Sequence, residues 1–202
     1  MGKVPEHLKY LSHTGAYAPK RLKLIGQINT DWNLCEQMMQ IAIWGLAGFD
    51  YEMGECITAD LSNVSLLTLC KNILNRFHSE DANTPFFLQV CNLFDECRQG
   101  RNAASHSLVL ADESGFEVFT SSMKSGRGNL GLLPGPKETI ELDVITNAIG
   151  YLLECFNECM CLLHDEPLPS RDKRLLPAYT ELLRELRLAR QTHDFPPPPS
   201  EV

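Results

Sequence analysis

The chain has 202 residues, 44% of them hydrophobic and 22% charged, with a formal net charge of −8. That length and composition suit one ordinary globular domain with an appendage, large enough to bury a core without disulfides. They exclude collagen-like, disordered and disulfide-dense classes, and the acidic balance excludes a generally basic nucleic-acid coat.

No run approaches the roughly 18 consecutive apolar residues of a membrane span. Met1 to Lys9 is polar and lacks the apolar core of a signal peptide. A cytoplasmic protein with no membrane partner is therefore expected. The eight cysteines are scattered, without the repeated short-spaced pairs of a zinc ribbon. In a reducing compartment they read as small buried hydrophobes. Charge is uneven along the chain: residues 1–29 carry a net +4, residues 30–164 a net −11 and residues 165–202 a net −1. The chain divides on that basis into a basic N-terminal arm (1–29), a helical body (30–164) and a C-terminal extension (165–202).

The body reads as helical. Thr30 or Asp31 is placed to cap a first helix, with Trp32, Leu34, Cys35, Met38, Met39, Ala42, Ile43 and Leu46 at helical spacing. Asp60 or Ser62 opens a second helix, carrying Leu66, Leu67, Cys70, Ile73, Leu74 and Phe77. Asn83-Thr84-Pro85 opens a third, with Thr84 as the cap and Pro85 in the first turn. That helix runs through Phe86, Phe87, Val90, Cys91, Leu93 and Phe94 into Cys97.

The pattern then changes. Ser107–Ala111 and Phe116–Thr120, joined by Asp112-Glu-Ser-Gly115, read as a short hairpin. Ser125–Asn129 and Pro134-Gly-Pro136 mark loops. Leu142–Leu163 is a fourth long helix. Residues 177–191 form an amphipathic helix, and Pro196–Pro199 an extended tail. The expected fold class is all-α: an antiparallel helical bundle with a short β-hairpin insertion between helices three and four.

Few residues can carry chemistry. Arg101-Asn102-Ala103-Ala104-Ser105-His106 closes the third helix. Arginine offers a cationic fork that fits phosphate, and an imidazole titrates near neutrality. A five-residue helical step turns 500°, so the two side chains point about 140° apart unless the helix ends between them or two chains supply them together. The bland alternative is that Arg101 pairs with Asp95 or Glu96 and His106 merely satisfies a helix end. Cys155, Cys159, Cys161 and His164 share the fourth helix, but ligands from one helix rarely close a metal site, and a buried face is the better reading. Ser121, Ser122 and Ser125 have no nameable base, and Gly126-Arg127-Gly128 lacks the context of a phosphate loop.

The Arg-Asn-x3-His run ending a bundle helix resembles the HEPN superfamily. Gly26-Gln-Ile28 leading to Trp32-x3-Glu36, Asp60-Leu-Ser62 before a Leu-rich helix, and a hairpin after the histidine are similar too. The resemblance spans roughly residues 25–164. It implies a metal-independent endoribonuclease, without cofactor or metal, whose composite site lies between the chains of a homodimer. In that reading His106 moves the proton of a ribose 2′-hydroxyl or of the leaving 5′-oxygen. Arg101 holds the scissile phosphate, Asn102 orients the motif, and Glu36 positions His106 or Arg101. The products are a 2′,3′-cyclic phosphate and a 5′-hydroxyl. RNA is the implied substrate, a toxin or defence role the implied setting, and an antitoxin or regulatory protein an implied partner. The tyrosine that some family toxins carry two residues after the histidine is Leu108 here. The acidic body works against RNA. The alternative is a non-catalytic dimerisation or partner-binding module of the same build.

Overall fold

A computed structural model describes residues 18–112, 115–121, 132–136, 139–167 and 175–191. The elements, in chain order, are α1 (Pro19–Ala47), α2 (Tyr51–Thr58), α3 (Asn63–Phe77), α4 (Thr84–Ser105), β1 (Ser107–Asp112), β2 (Gly115–Ser121), β3 (Leu132–Pro134), α5 (Thr139–Leu163) and α6 (Leu175–Gln191). The chain is predominantly helical.

Helix α1 starts at Pro19, whose fixed φ suits a first helical turn. Residues 19–29 therefore belong to this helix and not to a separate arm. Leu24 and Ile28 explain the difference. They continue the buried stripe of Trp32, Cys35, Met39 and Ile43 at steps of three and four. Arg21 is itself only 1% exposed, and its Nη2 donates to the Pro136 carbonyl at 2.8 Å. Lys20 pairs with Asp143 at 3.0 Å. The basic residues of this segment thus tie α1 to the start of α5. Thr30 does not cap: it lies inside the helix, its hydroxyl donating to the Gly26 carbonyl. Residues 1–17 lie outside the described residues.

Gly48 ends α1 in the left-handed region at φ 69°, where a Cβ would be strained. The short helix α2, absent from the expected elements, follows; the Asp50 side chain caps it by accepting from the Met53 amide. Ser62 caps α3 by accepting from the Ser65 amide. At the start of α4 the cap differs from expectation. Asn83 occupies that position, and the Thr84 hydroxyl turns back to donate to the His78 carbonyl.

The core lies among α1, α3, α4 and α5. Trp32, Phe94 and Phe156 stack through it, with ring centroids 4.7 Å apart for Trp32–Phe94 and 6.2 Å for Phe94–Phe156. A Cβ on Gly100 would meet Ile145 Cγ1 at 3.3 Å, so the glycine lets α4 and α5 approach closely just before Arg101. Helix α6 packs on α4 and α5, with Leu176 and Leu183 buried and Tyr179 against Tyr151. The three strands form one antiparallel sheet in the order β1-β2-β3, with Val109 opposite Val118 and Thr120 opposite Leu133. This sheet follows His106 directly. Ser122, Ser125, Gly126-Arg127-Gly128 and the proline tail fall outside the described residues.

Candidate functional site

The site is built at the C-terminal end of α4. The helix continues through Gly100, Ala103 and Ala104 to Ser105, and His106 is its C-cap with φ −104° and ψ 24°. The helix therefore does not end between Arg101 and His106. Within one chain the two side chains leave in different directions, as a 500° turn requires.

Asn102 touches both. Its side-chain Oδ1 accepts from Arg101 Nη1 at 3.1 Å, and its carbonyl accepts from the His106 amide at 3.1 Å. Arg101 is half-buried, and its Nε is buried without a hydrogen-bond partner among the described residues. A buried donor left unmatched costs free energy. His106 is exposed. The pairings of Arg101 with Asp95 or Glu96 do not form. Asp95 holds Arg98 at 2.7 Å, and Glu96 holds Arg184 and Arg187 at 3.5 and 3.3 Å.

The end of α4 is anchored by a contact that sequence reading missed. Ser105 Oγ donates to Asn29 Oδ1 of α1 at 2.7 Å, across 76 residues. Glu36 sits elsewhere. It is seven residues beyond Asn29, about 10 Å further along α1. Its Oε1 accepts from Trp32 Nε1 and Asn63 Nδ2, so it ties α1 to the start of α3. Arg101, Asn102 and His106 share the last turns of α4, with the Arg101 and His106 side chains diverging, and Glu36 lies apart from them.

A second polar cluster lies on the neighbouring face of α4. Arg187 Nη1 donates to Gln99 Oε1, and Arg184 and Arg187 share Glu96. The pairing brings cationic side chains of α6 alongside α4 near its C-terminal end. Their spacing of three on an amphipathic helix was visible, but their partners were not.

Among the cysteine candidates most resolve into packing, while Cys161 is half-buried and His164 exposed. Cys35, Cys70, Cys91, Cys97, Cys155 and Cys159 are all buried. Burial pushes the Cys35 and Cys97 thiols up, assisted by neighbouring thiols and carboxylates. The Cys70 thiol is raised first by its hydrogen bond with Cys91 and then by burial. Among the described residues no group of three His, Cys, Asp or Glu side chains is placed to hold a metal ion. No helix among them is long and apolar enough to cross a membrane.

No known protein family, curated protein or solved structure matches this chain.

Proposed function

We propose that this chain is a HEPN-type endoribonuclease that cuts RNA in a composite site made by two copies of itself. The observation that carries the reading is the placement of Arg101, whose guanidinium the Asn102 side chain holds, and of exposed His106 on the last turns of one helix. A phosphate-binding cation and a proton-transfer group are thereby held in one frame at an accessible helix end. Because they diverge within one chain, a second copy completes the site.

In the proposed reaction His106 takes the proton of a ribose 2′-hydroxyl. The 2′-oxygen attacks the adjacent phosphorus, and the bond to the 5′-oxygen breaks. The leaving oxygen receives a proton from the imidazolium of the other copy. Arg101 offsets the charge on the non-bridging oxygens. The products are a 2′,3′-cyclic phosphate and a 5′-hydroxyl. Glu36 is assigned no step, since its carboxylate is occupied by Trp32 and Asn63.

The test is incubation of purified chain with mixed cellular RNA in EDTA, read on a denaturing gel with analysis of the ends. Wild type is expected to leave 2′,3′-cyclic ends. His106→Ala and Arg101→Ala are each expected to lose about 10²- to 10⁴-fold in rate, the usual worth of a positioned acid–base or charge-stabilising group. Full activity in either variant overturns the assignment of that residue. No cleavage by wild type favours the non-catalytic module.

A further inference from the structure

The arginines around the second half of α4 differ in what already holds them. Arg98 closes on Asp95 through Nε and Nη2, at 3.0 and 2.7 Å. Arg184 lies between Glu181 at 2.8 Å and Glu96 at 3.5 Å. Arg187 is held more loosely. Its Nη2 reaches Glu96 Oε1 at 3.3 Å, an oxygen it shares with Arg184, and its Nη1 donates to the uncharged Gln99. The other oxygen of Glu96, Oε2, is buried without a hydrogen-bond partner among the described residues. Two guanidinium groups thus share one carboxylate that is turned inward, while the Arg187 side chain stays 28% exposed.

Position gives this cation a direction. Asp95, Gln99, Asn102 and His106 follow at steps of four, three and four, which sets them in one stripe of α4. The seven residues from Gln99 to His106 turn 700°, about 20° short of two full turns, and rise about 10 Å. Arg101 lies off that stripe, by the same arithmetic that parts it from His106. Helix α6 runs in the direction of α4, since Arg184 meets Glu96 and Arg187, three residues on, meets both Glu96 and Gln99. Within one chain the cation on the His106 side of α4 is therefore Arg187.

We propose that Arg187 is a substrate-binding residue, which holds a phosphate flanking the scissile one on an RNA strand that runs along the Gln99–His106 stripe. The proposal rests on the endoribonuclease reading. A guanidinium has five donors, and a phosphate oxygen can take those that Gln99 and Glu96 leave unused. Gln99 sets the plane of the group without neutralising it. Glu96 orients it from the buried side and divides its charge between two arginines. On an acidic body that repels phosphate, a cation so placed decides where the strand lies.

The test uses a fluorescein-labelled 2′-O-methyl oligoribonucleotide, which lacks the attacking hydroxyl and stays intact. Its binding to the full chain is followed by fluorescence anisotropy in EDTA over a range of salt concentrations. Arg187→Ala is expected to weaken binding about tenfold. It is also expected to lower the slope of log affinity against log salt by about 0.7, the share of one phosphate contact on a single strand. Arg187→Lys is expected to keep the slope. Glu96→Gln loosens the same tie of α6 but leaves the Arg187 charge, and is expected to bind at least as tightly as wild type. On cleavable RNA, Arg187→Ala is expected to raise KM about tenfold and leave kcat within about threefold. A wild type that does not bind the probe, or an unchanged slope in Arg187→Ala, overturns the proposal. So does a Glu96→Gln variant that loses as much affinity as Arg187→Ala, since Arg187 then serves only to fasten α6. Binding that depends on Arg187 without any cleavage keeps the phosphate contact and removes the nuclease. Cleavage with KM and slope unchanged in Arg187→Ala keeps the nuclease and removes the contact.

Discussion

In the first half of α4, Phe87, Val90, Cys91, Leu93 and Phe94 fill the core, and Phe94 is wholly buried between Trp32 and Phe156. In its last two turns Arg101, Asn102 and Ser105 stand half-buried and His106 stands in solvent. One continuous helix thus serves two ends. Its first half is held by dispersion and burial, which tolerate little loss of volume. Its last turns pack only through Gly100 and Ala104 and are otherwise held by a few polar bonds, each worth about 1 kcal/mol net. That division lets the C-terminal end of α4 change its chemistry with less effect on the fold than its first half.

The sharpest way to break the comparison is Phe94→Ala. Removing a wholly buried ring from the core costs about 3–5 kcal/mol. Urea denaturation should show that loss, and every function of the chain should fall with it. A loss below about 1 kcal/mol would mean the two halves are not energetically different. Next comes Glu96→Gln, at the boundary. Removing its charge weakens the ties to Arg184 and Arg187, and because these arginines are partly exposed the expected cost is about 1–2 kcal/mol. Hydrogen exchange in α6 should rise before that in α1. At the functional end Ser105→Ala removes the bond to Asn29 and should cost about 1 kcal/mol. On the proposed nuclease reading, the larger effect of Ser105→Ala should fall on cleavage, since the bond fixes where the helix end points.

The smallest effects concern the thiols. Exposed Cys56 should react first with a thiol reagent, while the six buried cysteines should react only on unfolding. The raised Cys35, Cys70 and Cys97 thiols also set a direction with pH. They stay protonated in the fold at a pH where unfolded thiols ionise. Their contribution to stability is therefore full below about pH 8.5, the usual thiol value, and declines as pH rises above it. A chain whose melting temperature rises from pH 8 to pH 10 would contradict this.

Much of this was legible in the sequence. The apolar steps from Leu66 to Leu74 and from Phe87 to Phe94 mark the buried faces of α3 and α4 because both helices are amphipathic at the regular period. The start of α1 was hidden because Lys20, Arg21 and Lys23 interrupt the stripe, and no local rule shows that an arginine will be buried against a carbonyl 115 residues away. Helix α2 was hidden by its brevity, its glycine and its exposed Tyr51, Met53 and Ile57. At the site, Arg101, Asn102 and His106 were visible as a run of residue types. The anchor at Asn29, the separation of Glu36 and the partners of the α6 arginines were not, because each depends on which helices become neighbours.

The packing of α1 on α5 has a consequence in time. Cys35 lies against the backbone of Ile149, and Arg21 against that of Pro136. Helix α1 thus completes its core contacts only after more than 100 further residues have been added. At roughly 5–20 residues per second, its buried stripe waits about 5–20 s on the ribosome without its main partner. During that interval Leu24, Ile28, Trp32 and Met39 present an apolar ridge to whatever binds nascent chains, and slower translation of the segment encoding α5 would lengthen the exposure.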